Sequence, residues 1–237
     1  MVAAFPELEP VAVGDALADQ AYRRLRAAIV ERRLPPGTRL SVPDVARRLG
    51  VSRSPAREAI AQIVGDGLAT FAPRKGAVVA TVTLADLREI YEIREVLEGL
   101  AARLAASRIT EGELDGLREV ARRHREAIEA GDVARHMDLD QEFHLRIRRI
   151  ARNGRLLEPL ERFQAQVRIA MDTTRRSPGG MPQALAEHEL IIARLAGRDP
   201  EGAEASARAH IIRLRRELVS RDGQEGEGHD DGHRAPR

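Results

Sequence analysis

Apolar residues recur along this chain at helical spacing, interrupted by proline and glycine at a few points. Leu25, Ala28 and Ile29 share one face and predict a helix from about residue 17 to 32, which Pro35, Pro36 and Gly37 stop. A short helix is expected over 42–49, with Ser41 as its N-cap and Gly50 as a tight exit. A third helix starts at Ser52 or Ser54, carries Pro55 in its first turn and ends at Asp66–Gly67. Two short apolar runs, Leu68–Phe71 and Ala77–Val82, flank a Gly-containing turn and predict a β-hairpin.

From Thr83 onward the pattern is helical throughout. Six helices are expected, over about 84–107, 111–130, 132–152, 154–174, 182–197 and 200–221. Thr83 with Asp86, and Thr110 with Glu113, have the spacing of capping boxes, in which each side chain satisfies an orphan N–H at a helix start. Asp132 and Asp199 mark two further starts, and Pro178, Gly179, Gly180 and Pro182 mark a loop. The chain therefore divides into an arm (1–14), a small mixed domain (15–80), an all-helical domain (83–221) and a tail (222–237). The tail is rich in Gly, Asp, Glu and His without apolar periodicity and is expected to be disordered.

Composition removes several classes of function. Cysteine is absent, so disulfides and Cys-ligated metals are excluded, and a reducing cytoplasm is the expected compartment. No apolar run reaches the roughly 20 residues needed to span a bilayer, and the first 20 residues lack a signal-peptide core. Aromatic residues make up only 3%, with no Trp, which disfavours a single-strand nucleic-acid binder that stacks bases on rings. The formal net charge is only +2, but it is unevenly spread. Residues 1–80 hold 12 basic and 8 acidic side chains, whereas residues 81–237 hold 27 and 29. The small domain is thus mildly cationic, as a phosphate-binding face requires.

Chemistry concentrates first in Val42–Gly67. Val45, Leu49, Val51, Ala56, Ile60 and Ile63 can form one small core. That core leaves Ser52, Arg53, Ser54 and Arg57 at the open N-terminal end of the second helix. A helix entering the major groove N-terminus first needs this arrangement. Its amides and hydroxyls meet phosphates, while Arg bonds guanine O6 and N7 in parallel. The hairpin tip Arg74-Lys75-Gly76 is placed to lie on a neighbouring phosphate or in the minor groove. The run Ser41–Ile60, and within it Ser-Arg-Ser-Pro-Ala-Arg-Glu-Ala, followed by Gly67-Leu68 and Pro73–Gly76, resembles the winged helix-turn-helix of GntR-family bacterial transcriptional regulators. The resemblance implies operator contacts from Arg53 and Arg57, phosphate contacts from Ser52 and Ser54, and Gly76 at the wing tip. Pro43 stands where the family often has a DNA-touching arginine, with Arg47 and Arg39 as candidate replacements.

A second constellation lies in the helical domain. Asp140 and His144 are four residues apart on the stripe of Val133, Met137, Phe143, Ile147 and Ile150, so both can reach one ion. His188 falls on the stripe of Leu185, Ile192 and Leu195, and His210 on that of Ala207, Ile211, Leu214 and Leu218. An unpaired buried carboxylate is costly, and a divalent metal would offset that cost while giving each imidazole a partner. Satisfied core histidines are the competing reading; His124, on the stripe of Leu117 and Ile128, illustrates it. Arg94, on the stripe of Leu87, Ile90, Leu97 and Ala101, suits a bound carboxylate or a salt bridge to Glu98. His229 and His233 in the tail are read as adventitious.

Glu92–Glu98, Asp140-Gln-Glu-Phe-His144, Asn153, Glu187-His188 and Ala209-His210 resemble the FadR-type (FCD) effector domain, an antiparallel helical bundle. In the metal-binding subset of that domain an Asp and three His hold a divalent ion, commonly zinc or nickel, that helps bind a carboxylate effector. The resemblance assigns those roles to Asp140, His144, His188 and His210. The expected protein is a mainly α, cytoplasmic, homodimeric regulator, with a winged helix-turn-helix and an all-α bundle. It would act as a repressor on double-stranded, palindromic operator DNA and respond to a small carboxylate, without a membrane partner. A metal-dependent enzyme with an Asp/His3 site and a metal-sensing repressor without an organic effector are the alternatives.

Overall fold

The computed structural model describes residues 15–170 and 180–226. The arm 1–14, Pro178 and Gly179 of the expected loop, and His229 and His233 lie outside the described residues. The chain divides near Thr81 into two compact units.

The first unit holds α1 (Asp15–Val30), α2 (Val42–Leu49), α3 (Arg53–Gly65), β1 (Ala69–Ala72) and β2 (Gly76–Val79). α1 packs on α3 through Ala21, Leu25, Ala28 and Ile29, all buried. The Ser41 hydroxyl accepts the Asp44 amide and starts α2. Gly50 ends α2 at φ 67°, a left-handed conformation that a residue with Cβ adopts only under strain. This abrupt exit turns the chain from α2 straight into α3, where Val45, Ala56, Ala59, Ile60 and Ile63 close the small core. β1 and β2 pair antiparallel with Ala69 opposite Val79 and Ala72 opposite Gly76. Their turn is closed by Arg74 at φ 62° and Gly76 at φ 77°. The segment before α2 joins the hairpin through Leu40 N–H to Ala77 O at 2.8 Å and Val79 N–H to Thr38 O at 2.9 Å, which fixes the wing against the helices.

The second unit contains α4 (Leu84–Arg108), α5 (Glu111–Glu129), α6 (Val133–Ile150), α7 (Gly154–Ala170), α8 (Gly180–Ala196) and α9 (Pro200–Gly226). Thr83 with Asp86 and Thr110 with Glu113 form complete capping boxes, and Asp132 accepts the Arg135 amide at 3.0 Å. Asp199 caps α9 by accepting the Gly202 amide at 2.9 Å. α4 packs along α9, α5 packs on α6 and α8, and α8 packs on α9. Leu117, Val120, Phe143, Leu139, Ile191 and Leu195 form the main core with the small residues Ala102, Ala105 and Ala106 of α4.

Two boundaries differ from those the sequence pattern predicts. α8 begins at Gly180, so Gly180 and Pro182 belong to a helix rather than to a loop. Pro182 is accommodated because a first-turn amide has no intrahelical partner to lose. α9 continues to Gly226, past the expected end at 221; its last turns carry charge without apolar periodicity, so the pattern stops before the helix does.

Candidate nucleic-acid interface and metal centre

In the first unit, the α2–α3 turn presents the N-terminus of α3 outward. Ser52, Arg53, Ser54 and Arg57 are all exposed, as are Arg74, Lys75 and Gly76 at the wing tip. Ser52 occupies the N-cap position, yet its hydroxyl makes no capping bond, so the first amides of α3 and this hydroxyl are both uncommitted. Such an end attracts anions through its free N–H groups and the helix dipole. Arg53 and Arg57 form no ion pair among the described residues, whereas many arginines of the other unit are paired. Arg47 is engaged with Asp44 at 2.5 Å, and Asp44 is in turn held by Ser41. Arg39 is exposed and forms no ion pair among the described residues. Of the two arginines that could do the work of a basic side chain at position 43, Arg39 is therefore the available one.

In the second unit, the turns of α6, α8 and α9 bring Asp140, His144, His188 and His210 together, with one ligating atom from each within 4.8 Å of all the others. Asp140 Oδ1 lies 3.5 Å from His188 Nε2 and 4.0 Å from His144 Nε2. The three imidazoles are buried, and the carboxylate is about a quarter exposed. Both ring nitrogens of His188 and Nε2 of His210 have no hydrogen-bond partner. Buried polar atoms are seldom left in that state without a ligand or water.

An ion with bonds of roughly 2.0–2.2 Å sets neighbouring ligand atoms about 3–3.6 Å apart, so the widest separations here would close by up to about an ångström around it. Burial, reinforced by neighbouring imidazoles, holds the His144 and His188 side chains well below the ordinary histidine range. Both therefore stay neutral, the form that ligates a metal. Phe143 stacks on His188 with ring centroids 4.0 Å apart and fixes its plane.

Several residues of this centre carry no clear sequence signal. Glu187 holds His210 Nδ1 at 2.7 Å and is itself fixed by Arg213 at 2.7 Å. This carboxylate–imidazole pair leaves His210 Nε2 turned to the cluster, the outer support typical of a metal-ligating histidine. In the sequence Glu187 stands only as part of the Glu187-His188 pair that carries the FCD resemblance, with no role attached to it. His124 is fully buried beside the cluster, 5.6 Å from His188 between ring centroids, and pairs with His136 at 2.5 Å. Burial holds His124 down to about 4.

Of the two readings of Arg94, the structure shows the salt bridge to Glu98. Arg94 bonds Glu98 at 3.2 Å, and Arg148 bonds the same carboxylate through Nε at 3.2 Å and through Nη2. All three are essentially buried. The pair of guanidiniums holds the Glu98 carboxyl below the usual range although burial alone would raise it. Two cations share the Glu98 carboxylate, Asp140 adds a second negative charge acting on Arg94, and Arg94 Nε has no partner. Arg148 lies four residues beyond His144 on the same stripe, and only the fold shows that it belongs to this cluster.

Among the described residues no helix is long and apolar enough to cross a membrane. The FCD domain pattern matches residues 89–213, and the pattern of bacterial regulatory proteins of the gntR family matches residues 17–79. The HTH-type transcriptional repressor RspR of Escherichia coli K12 is 34% identical over 194 residues, covering 81% of this chain and 84% of that protein. The Nta operon transcriptional regulator of Aminobacter aminovorans is 32% identical over 180 residues, covering 74% and 82%. Among solved structures, E. coli McbR/YncC superposes with a TM-score of 0.72 at 26% identity, covering 87% of this chain and 98% of that one. These relatives are regulators of transcription, not enzymes, which removes the metalloenzyme alternative. With both domains matched in order, the chain belongs to the GntR family of DNA-binding bacterial transcriptional regulators, with a C-terminal FCD domain.

Proposed function

We propose that this protein is a cytoplasmic repressor that binds palindromic operator DNA as a two-fold dimer and is controlled by a small carboxylate bound beside a divalent metal. The observation that carries the reading is the convergence of Asp140, His144, His188 and His210, with three imidazole nitrogens buried and unpartnered. Zinc or nickel suits a set of three imidazoles and one carboxylate. When bound, the ion supplies an open coordination position for a ligand oxygen. This chain's own residues do the remainder: Asp140 and the imidazoles orient the site, Glu187 fixes His210, and Arg94, held by Glu98, offers its unpartnered Nε–H. That buried, unpartnered donor favours an organic anion over sensing of metal alone, because a buried N–H is costly until an acceptor meets it.

On the DNA side, Arg53 and Arg57 read base edges, Ser52, Ser54, Arg74 and Lys75 meet phosphates, and Gly76 lets the wing tip approach closely. One recognition helix covers only a few base pairs, so a second copy is needed for a specific site. An effector changes occupancy only to the extent that it binds the two arrangements of the dimer with different affinity.

The test is a mobility shift on the protein's own promoter region, with and without metal, across a panel of small carboxylates. The wild type should respond to a carboxylate only when metal is present, and Arg94→Ala should keep the metal but lose the response. A response to metal alone, unchanged by every carboxylate, would instead establish a metal sensor.

A further inference from the structure

In the first unit α1 and α2 both pack on α3, and a groove runs between them, lined also by the segment that joins them. Its volume is about 550 Å³, within the roughly 300–1,000 Å³ of small-molecule sites. Leu25 and Ala28 of α1, Leu40, and Val45 of α2 form an apolar floor, each less than a tenth exposed. Arg24, Arg39 and Arg48 stand exposed at the mouth, one from α1, one from the joining segment and one from α2. None of these three forms an ion pair among the described residues. Arg33 is paired with Glu31 at 2.8 Å, and Asp44, the acidic side chain of the lining, is held by Ser41 and Arg47. Three uncommitted cations thus surround an apolar cleft.

We infer that this groove binds an amphipathic organic anion, with its apolar body on the floor and its one anionic group on the arginines. Charge and shape together argue for that occupant. DNA phosphate accounts for the arginines but not for the apolar floor. A neutral apolar molecule accounts for the floor but leaves the arginines without a partner. A planar guanidinium takes a carboxylate or phosphate through two parallel N–H bonds, and an anion held between α1 and α2 can draw on arginines from both sides. The site lies wholly in the first unit and uses no residue of the bundle, so it is independent of the metal centre.

Occupancy of the groove acts on the wing. Thr38 and Leu40 of the lining are the residues that bond β2, and Arg39 between them bridges to Val78. Arg39 is also the free arginine that can stand in for the basic side chain missing at Pro43, a step that rests on the DNA contacts proposed above. An anion that takes Arg39 withdraws it from DNA and loads the segment that fixes the hairpin, so ligand and operator compete.

The test titrates the full chain with anilinonaphthalene sulfonate, an apolar aromatic anion that fluoresces when bound. Binding should be saturable. Arg24→Glu and Arg48→Glu should each weaken it at least tenfold with helical circular dichroism unchanged. Arg23→Glu, one residue away but outside the lining, and Arg94→Ala, in the bundle, should bind the dye as the wild type does. The uncharged phenylnaphthylamine should bind at least tenfold more weakly. Saturating dye should weaken operator binding at least threefold in the wild type and leave Arg48→Glu unaffected. Equal dye binding by the wild type, Arg24→Glu and Arg48→Glu would overturn the site. Binding that appears only after residues 1–14 are deleted would make that segment, with Glu7 and Glu9 and no basic side chain, the occupant and would overturn the inference. Dye binding as expected, with operator binding unchanged, would overturn the competition and leave the site.

Discussion

The two functional regions solve opposite physical problems. At the start of α3 the candidate DNA-contacting side chains are exposed, unpaired among the described residues and beside uncommitted amides, so they cost the fold almost nothing. In the bundle the important side chains are buried and mutually dependent, and several of their nitrogens lack any partner. The first region is held by its backbone: a cap at Ser41, a left-handed exit at Gly50 and a proline-containing first turn. The second is held by side chains from different helices that constrain one another. Substitution should therefore change binding without stability in the first region, and stability together with binding in the second.

The largest effect is expected at Glu98. Glu98→Gln removes the charge shared by Arg94 and Arg148 and leaves two buried guanidiniums with a neutral amide between them. Breaking a buried pair in this way costs about 3–5 kcal/mol, measurable as a lower denaturant midpoint. A loss below 1 kcal/mol would show that the cluster is solvated and would erase the contrast.

Removing bound metal with a chelator should come next. An ion at a hundredfold its dissociation constant stabilises the fold by about 2.7 kcal/mol, and that increment should disappear from the melting temperature. Glu187→Gln weakens the orientation of His210 and should lower metal affinity by about 10- to 100-fold while leaving Arg53 and Arg57 chemistry intact. An affinity equal to that of the wild type would remove Glu187 from the centre.

At the other region, Arg53→Ala and Arg57→Ala should each weaken specific operator binding by roughly 1–3 kcal/mol. Their unfolding free energies should stay within about 0.5 kcal/mol of the wild type. Operator affinity should also fall steeply with salt. Equal operator binding by both variants would remove α3 as the reading helix.

The smallest effects separate two caps. Ser41→Ala should cost about 1 kcal/mol because the Asp44 amide loses its acceptor, whereas Ser52→Ala should cost almost nothing in stability because its hydroxyl caps nothing. Ser52→Ala should instead weaken DNA binding.

pH sharpens the same contrast. His144 and His188 titrate in the fold well below their ordinary value near 6.5, because burial disfavours their charged forms. The unfolded chain then binds more protons below that value, so metal-free stability should hold above about pH 6.5 and decline as pH falls. A flat profile between pH 7 and 5 would contradict the burial of those rings.

The exposed region is legible in the sequence almost completely. Ser41, Gly50, Pro55 and the wing turn act locally, within a few residues, and local rules place each of them. The candidate metal centre is legible in part. Helical spacing puts Asp140 with His144, and apolar stripes put His188 and His210 inward, but the meeting of three helices lies beyond periodicity. Glu187 and Arg148, and the sharing of Glu98 between two arginines, escape for the same reason. Arg148 pairs with a residue 50 positions away, and Glu187 with one 23 positions away, separations at which spacing carries no signal. The ends of α8 and α9 fall elsewhere than expected because Pro182 is compatible with a first turn and the last turns of α9 carry no apolar stripe.

The most direct measurement is elemental analysis of protein truncated after Gly226, which removes His229 and His233 and leaves every described helix whole. The account predicts one divalent ion per chain in the truncated wild type, as purified or after reconstitution, and none in the same protein carrying His188→Ala. A truncated wild type that carries no stoichiometric metal and takes none up would make Asp140, His144, His188 and His210 a polar core without a ligand, and would contradict the account.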